Sequence, residues 1–126
     1  MDKKILIVDD EKNIVFMIRE ILSGLDCQIL IETSPKAAVQ LLKKEGESFS
    51  VLITDILMEE IDGIELAKIC KVMNPDIKVI AISGSQTAAN LIDKMSSDEK
   101  QIIYKFFFKP FDNKELLETV KQLLTS

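Results

Sequence analysis

The sequence contains no histidine and no tryptophan, and only two cysteines, four glycines and three prolines. The missing histidine excludes Ser-His-Asp and Cys-His catalysis, histidine general bases and the usual zinc ligand sets. Cys27 and Cys70 form no closely spaced metal-type pair, and two cysteines make no disulfide framework; both read as small core residues. The glycines at 24, 46, 63 and 84 are scattered, whereas a phosphate-cradling loop clusters them. No apolar run approaches the ~20 residues of a membrane helix. The apolar run that opens the chain is cut off at once by Asp9-Asp10, too early for a secretion signal, so a cytoplasmic location is expected. Basic excess is lacking too: 16 Lys and Arg face 21 Asp and Glu, a net charge of −5 that disfavours direct nucleic-acid binding. Carboxylates, hydroxyls, lysine and a hard metal ion are what remain for chemistry.

A chain of 126 residues is sized for one domain, taken as residues 1–126. Short apolar runs alternate with stretches of helical periodicity. Ile5 to Val8 reads as a strand buried on both faces, and Lys12 to Ser23 as a helix stopped by Gly24. A strand over Gln28 to Glu32 follows, then a helix started by Ser34 as cap and Pro35 at its first position. Val51 to Ile53 is the third strand. Asp62-Gly63-Ile64-Glu65 resembles a capping box and opens a helix that stops before Asn74-Pro75. Ile77 to Ile82 is the fourth strand, and Ala88, Leu91, Ile92 and Met95 imply a fourth helix. The fifth strand lies within Ile102 to Phe108, and Asp112 to Glu115 starts the last helix as a second capping-box candidate. Five strand–helix pairs in strict alternation predict an α/β fold, a doubly wound five-stranded parallel sheet with helices on both faces.

In such sheets ligands bind at the carboxyl ends of the strands. Strand one ends in Asp9-Asp10-Glu11, strand three in Asp55, strand four in Ser83-Gly84 and strand five in Lys109-Pro110. Read singly, Asp9 and Asp10 serve equally well as helix caps, Asp55 as a loop acid, Ser83-Gly84 as a turn and Lys109-Pro110 as a strand end. Read together, they bring carboxylates, a hydroxyl and an ammonium to one edge. That set suits Mg²⁺ and a phosphoryl group, with an Asp available as nucleophile.

These segments, with Asp55-Ile56-Leu57-Met58 leading to Asp62-Gly63 and with Lys109-Pro110-Phe111, resemble a response-regulator receiver domain of two-component signalling from about Lys4 to Leu124. The resemblance implies a flavodoxin-like (βα)5 fold with strand order 2-1-3-4-5. It implies Asp55 as phosphoacceptor, and Mg²⁺ held by Asp9, Asp10, Asp55 and the backbone carbonyl of Leu57. Ser83, Lys109 and Phe106 match the hydroxyl, lysine and aromatic residues of the switch, and Lys109–Pro110 a cis peptide. It further implies a regulatory phosphoacceptor that takes part in its own phosphorylation and dephosphorylation. The donor would be a sensor histidine kinase or phosphotransfer protein, since this chain has no histidine to offer. The output would pass through a downstream protein target or a fused output domain, by a monomer or a phosphorylation-dependent dimer, through the surface of the fourth helix, fifth strand and last helix. Neither a membrane nor nucleic acid is implied as a direct partner.

The sequence departs from the family pattern in places. Glu59 stands where proline is usual after Met58, and is expected to point outward. The stretch from Ser83 to Lys109 is long, with Ser96 to Gln101 in place of a small-residue signature, which opens the form of the fourth helix. Tyr104 and Phe107 compete with Phe106 for the switch role. Phe106, Phe107 and Phe108 cannot all face inward from one strand, so at least one sits near the surface. An aspartyl-nucleophile phosphatase would want an acid at position 57, which is Leu. A nucleotide or flavin binder would want clustered glycines. A receiver-like scaffold that binds a partner without phosphorylation is the alternative function.

Overall fold

The computed structural model describes residues 3–125. Strand β1 spans Lys4–Val8, β2 Gln28–Glu32, β3 Val51–Asp55, β4 Lys78–Ser83 and β5 Lys105–Phe108. Helix α1 spans Lys12–Leu22, α2 Pro35–Glu45, α3 Gly63–Met73, α4 Gln86–Asp93, α5 Ser97–Gln101 and α6 Asn113–Thr125. A single 3₁₀ turn, Gly46–Ser48, follows α2. All strand pairs are parallel and the order is β2-β1-β3-β4-β5, as expected.

Side chains alternate across each strand, so the apolar strands feed two cores. On one face Leu6, Leu52, Val79 and Ala81 meet α2, α3 and α4 through Leu42, Leu66, Cys70, Ala88 and Ile92. On the other, Ile5, Ile7, Ile53, Ile80 and Phe107 meet α1 and α6 through Val15, Ile18, Leu116 and Val120. Every residue of β3 is buried, which explains its continuous apolar run. Cys70 is fully buried, while Cys27 is only half-buried at the edge of the second core.

The helix starts follow local chemistry. The Ser34 hydroxyl accepts from the Ala37 N–H at 3.2 Å, and the Asp62 carboxylate from the Glu65 N–H at 2.8 Å. The Asp112 carboxylate accepts from the Lys114 N–H at 2.9 Å. Each satisfies an otherwise orphaned helix N–H.

Two expectations need correction. Among the described residues there are six helices, not five. The segment after Ser96 is itself a short helix, α5, opened by a reciprocal capping box between Ser96 and Glu99. Strand β5 occupies Lys105–Phe108, inside the expected Ile102 to Phe108, and Ile102 and Ile103 belong to the exit of α5. Gly24 does not stop α1 by a left-handed turn, since no glycine among the described residues has positive φ; Ser23, in right-handed helical geometry, caps the helix.

Gly63 matters through proximity. A β-carbon there would overlap the Asp55 carbonyl oxygen and lie 2.9 Å from its carbon and 3.0 Å from the Ile56 Cα. The Gly63 N–H in turn donates to the Ile56 carbonyl at 2.8 Å. The start of α3 is thus seated directly on the end of β3, and backbone must shift to admit any side chain. Gly63→Ala is expected to lower stability in urea denaturation by about 1–3 kcal/mol, the range for overpacked sites. An unchanged midpoint would contradict this close approach.

Candidate functional site

The site is built at the carboxyl ends of β1 and β3. These strands pair in parallel with Val8 beside Thr54, so the residues that follow, Asp9 and Asp55, emerge side by side. Asp10 comes next in the chain and is exposed, whereas Asp9 and Asp55 are buried. One carboxylate oxygen from each of the three lies within 4.8 Å of the others.

Neither Asp9 nor Asp10 caps α1. Glu11 is the cap residue and makes no side-chain capping bond. Asp9 Oδ1 accepts from the Glu11 N–H at 2.9 Å, while Asp9 Oδ2 is buried without a partner. Asp10 Oδ2 accepts from the backbone N–H of Glu59 at 3.2 Å. Asp55 Oδ1 accepts from the Ile56 N–H at 2.9 Å. A buried carboxylate oxygen with no donor, beside two more carboxylates, is a costly arrangement in isolation. It fits a hard divalent cation, which takes oxygen ligands and a small number of carboxylates.

The electrostatics carry the same signature. Burial pushes the Asp9 carboxyl up to about 7, against the pull of the Glu11 N–H; Asp55 and Asp10 add repulsion, and the Lys109 charge relieves it. Burial also raises Asp55. Lys109 and the Ile56 N–H lower it in part, and Asp10 and Glu11 add repulsion. A cation among these acids would favour the charged form of each.

Ser83 closes β4 and is 3% exposed. It is joined to Lys109 through the backbone, since the Lys109 N–H donates to the Ser83 carbonyl at 2.8 Å. The Lys109 side chain passes over Gly84, where an added β-carbon would lie 3.0 Å from Cδ and 3.4 Å from Nζ. The peptide between Lys109 and Pro110 is cis. Leu57 lies in the loop after β3, its side chain half-buried against the first core.

The three phenylalanines of β5 part as strand alternation demands. Phe107 is 2% exposed, packed in the second core and edge-on to Phe111 at 6.0 Å. Phe106 is half-buried against the first core, the one that α4 covers. Phe108 and Tyr104 are exposed. Glu59 is exposed, as expected.

Sequence reasoning missed two groups here. The sequence marks Gly63 only as part of a cap, although its spacing of eight residues from Asp55 is what seats α3 under the acid. The Glu59 N–H is invisible in the sequence, because a backbone donor has no signal beyond the absence of proline.

The raised Asp9 pKa gives a pH test. A carboxyl raised in the folded state contributes stability that is full below its unfolded value near 4 and is lost as pH rises through about 7. In urea denaturation with EDTA, Asp9→Asn is therefore expected to be more stable than the wild type at pH 8, by on the order of a few kcal/mol. The gap should narrow steadily as pH falls from 7 toward 4. A gap independent of pH would show that Asp9 ionises normally.

The comparisons with known proteins agree with this geometry. A family model described as the response regulator receiver domain matches residues 5–121. Sporulation initiation phosphotransferase F of Bacillus subtilis (strain 168) is 31% identical over 124 residues, covering 98% of this chain and 95% of that protein. Chemotaxis protein CheY of the same organism is 31% identical over 125 residues, covering 98% and 99%. Among solved structures, the signal receiver domain of an HD domain-containing protein from Pseudomonas fluorescens Pf-5 superposes with a TM-score of 0.85 at 26% identity, covering 99% and 96%. Among the described residues no helix is long and apolar enough to cross a membrane. With three acids gathered at the strand ends of a 2-1-3-4-5 sheet and this family model spanning nearly its whole length, the chain belongs to the response-regulator receiver domains of two-component systems.

Proposed function

We propose that this domain is a phosphorylation-driven switch with Asp55 as its phosphoacceptor. The observation that carries the reading is the convergence of Asp9, Asp10 and Asp55, with Asp9 Oδ2 buried and unpartnered beside them. Such a cluster is poorly suited to a purely structural role and well suited to a cation-assisted transfer.

The donor is a phosphohistidine on a sensor histidine kinase or phosphotransfer protein. One oxygen of Asp55 is held by the Ile56 N–H, which leaves the other to attack phosphorus. As that O–P bond forms, the N–P bond of the donor breaks, and the departing imidazole keeps its electron pair. Asp9, Asp10, Asp55 and the Leu57 carbonyl would hold Mg²⁺, whose charge offsets that of the phosphoryl oxygens. Lys109 supplies a second positive charge at the same edge, and its field already reaches Asp55. Ser83 offers a hydroxyl to the new phosphoryl group. Phe106 is the aromatic that responds, because Phe107 is locked in the core and Tyr104 is exposed. The changed surface of α4, β5 and α6 is then read by a downstream protein or a fused output domain in the cytoplasm, by a monomer or a dimer formed on phosphorylation.

Intact mass after incubation with acetyl phosphate tests the reading. The wild type with Mg²⁺ is expected to gain one phosphoryl group, and Asp55→Asn or wild type in EDTA none. An adduct that survives in Asp55→Asn would move the acceptor elsewhere. A well-folded wild type that stays unmodified by both acetyl phosphate and a phosphorylated histidine kinase would leave the phosphorylation-independent scaffold as the function.

A further inference from the structure

Among the contacts at the acidic site, one depends on a residue that sets this chain apart from its family pattern. Glu59 occupies the position where proline is usual, and proline has no N–H to give. Here that N–H donates to Asp10 Oδ2 across 3.2 Å, joining the loop after β3 to the residue after β1.

Asp10 needs such a hold. It is the exposed member of the acidic trio, and its charge is felt by both Asp9 and Asp55. Mutual repulsion and side-chain entropy both favour turning its carboxylate out to water. A donor on Oδ2 opposes both, and leaves Oδ1 free. Hydrogen bonds to an ionised acceptor are stronger than neutral ones.

The donor is itself fixed in place. Directly after Glu59 the chain reverses in a three-residue turn, in which the Ile61 N–H donates to the Glu59 carbonyl at 2.9 Å. The central residue, Glu60, has φ of 74°, in the left-handed region that a non-glycine residue occupies at some cost. Lys36 reaches Glu60 at 3.3 Å from α2. The Gly63 N–H closes the loop onto Ile56 at 2.8 Å. The Glu59 amide is therefore held from its C-terminal side.

We propose that the backbone N–H of Glu59 is a positioning group that holds the Asp10 carboxylate ready for the divalent cation. The inference rests on the cation-assisted switch proposed above. The Glu59 carboxylate has no part in it.

Two substitutions separate the amide from the side chain. Glu59→Ala and Glu59→Pro both remove the carboxylate, but only Glu59→Pro removes the N–H. Calorimetric titration of the whole domain with Mg²⁺ is expected to leave Glu59→Ala within about twofold of the wild type, as befits an exposed charge. Glu59→Pro should bind Mg²⁺ roughly three- to tenfold more weakly than Glu59→Ala, the scale of one hydrogen bond. Equal affinities for the two variants, or tighter binding by Glu59→Pro, would overturn the proposal. A second measurement does not require the proline variant to fold. By nuclear magnetic resonance, hydrogen exchange of the Glu59 amide in the metal-free wild type should be slow and should accelerate in Asp10→Ala; equal rates would overturn the proposal. Wild type that binds no Mg²⁺ at all would overturn the switch reading together with this inference, an outcome distinct from failure of the proline–alanine comparison alone.

Discussion

Asp9 and Asp55 are brought together by the pairing of β1 with β3, and nothing in their own chemistry favours it. Ile5, Leu6, Ile7 and Val8 lie beside Val51, Leu52, Ile53 and Thr54 in register, and the acids are simply the next residues on each strand. Each fully buried aliphatic side chain contributes about 1.5–3 kcal/mol. Several such pairs outweigh the few kcal/mol that crowding two carboxyls costs. The acids are therefore kept buried in the folded protein, and that burial, with charge repulsion as a smaller addition, shows as raised pKa values at Asp9 and Asp55. A slip of one residue in this register would send each strand side chain to the opposite core, so the site's geometry is only as secure as the core's pairing.

Much of this was legible in the residues. The strand runs, the strict alternation and the acids at strand ends are side-chain signals, and side chains are what a sequence states directly. What stayed hidden falls into two physical kinds. Backbone groups carry no letter of their own, so the Glu59 N–H and the Gly63 contact with Asp55 appear only once the chain is folded. Short polar elements lack the apolar periodicity that marks a helix. Ser96 and Glu99 do have the spacing of a capping box, yet the five residues they open bury no side chain, and the segment reads as a connection. The phenylalanine run shows the opposite case. Alternation alone required the three rings to part, and it sets the buried Phe107 on the opposite face from Phe106 and Phe108.

The extra helix α5 bears on how freely the α4 region can rearrange. It is tied to α3 by Lys68, which reaches Glu99 at 2.7 Å and Glu65 at 3.3 Å. Both pairs are solvent-exposed, and such pairs contribute at most about 1 kcal/mol each. The firmer anchors are Met95 and Ile103, buried on either side of α5. The segment from α4 to β5 thus combines two apolar pins with weak polar ties between them. Phe107, by contrast, is committed to the core under α6 and gives β5 little room to move.

This contrast identifies which element must yield in the proposed switch. Ser83 lies beside Phe108 in the β4–β5 ladder, and its carbonyl takes the Lys109 N–H. The backbones of Ser83 and Lys109 therefore move as one unit with the sheet. Chain freedom begins at Gly84, which is exposed, and continues into α4 through the cap at Ser85. Phe106 shares a strand face with Phe108 and packs toward the core that α4 covers. Phe107 holds the strand on its other side, so in the proposed switch a shift of α4 would change the space around the Phe106 ring. A phosphoryl group on Asp55 that drew in the Ser83 hydroxyl and the adjoining loop would act on α4 first, and the aromatic would follow the helix.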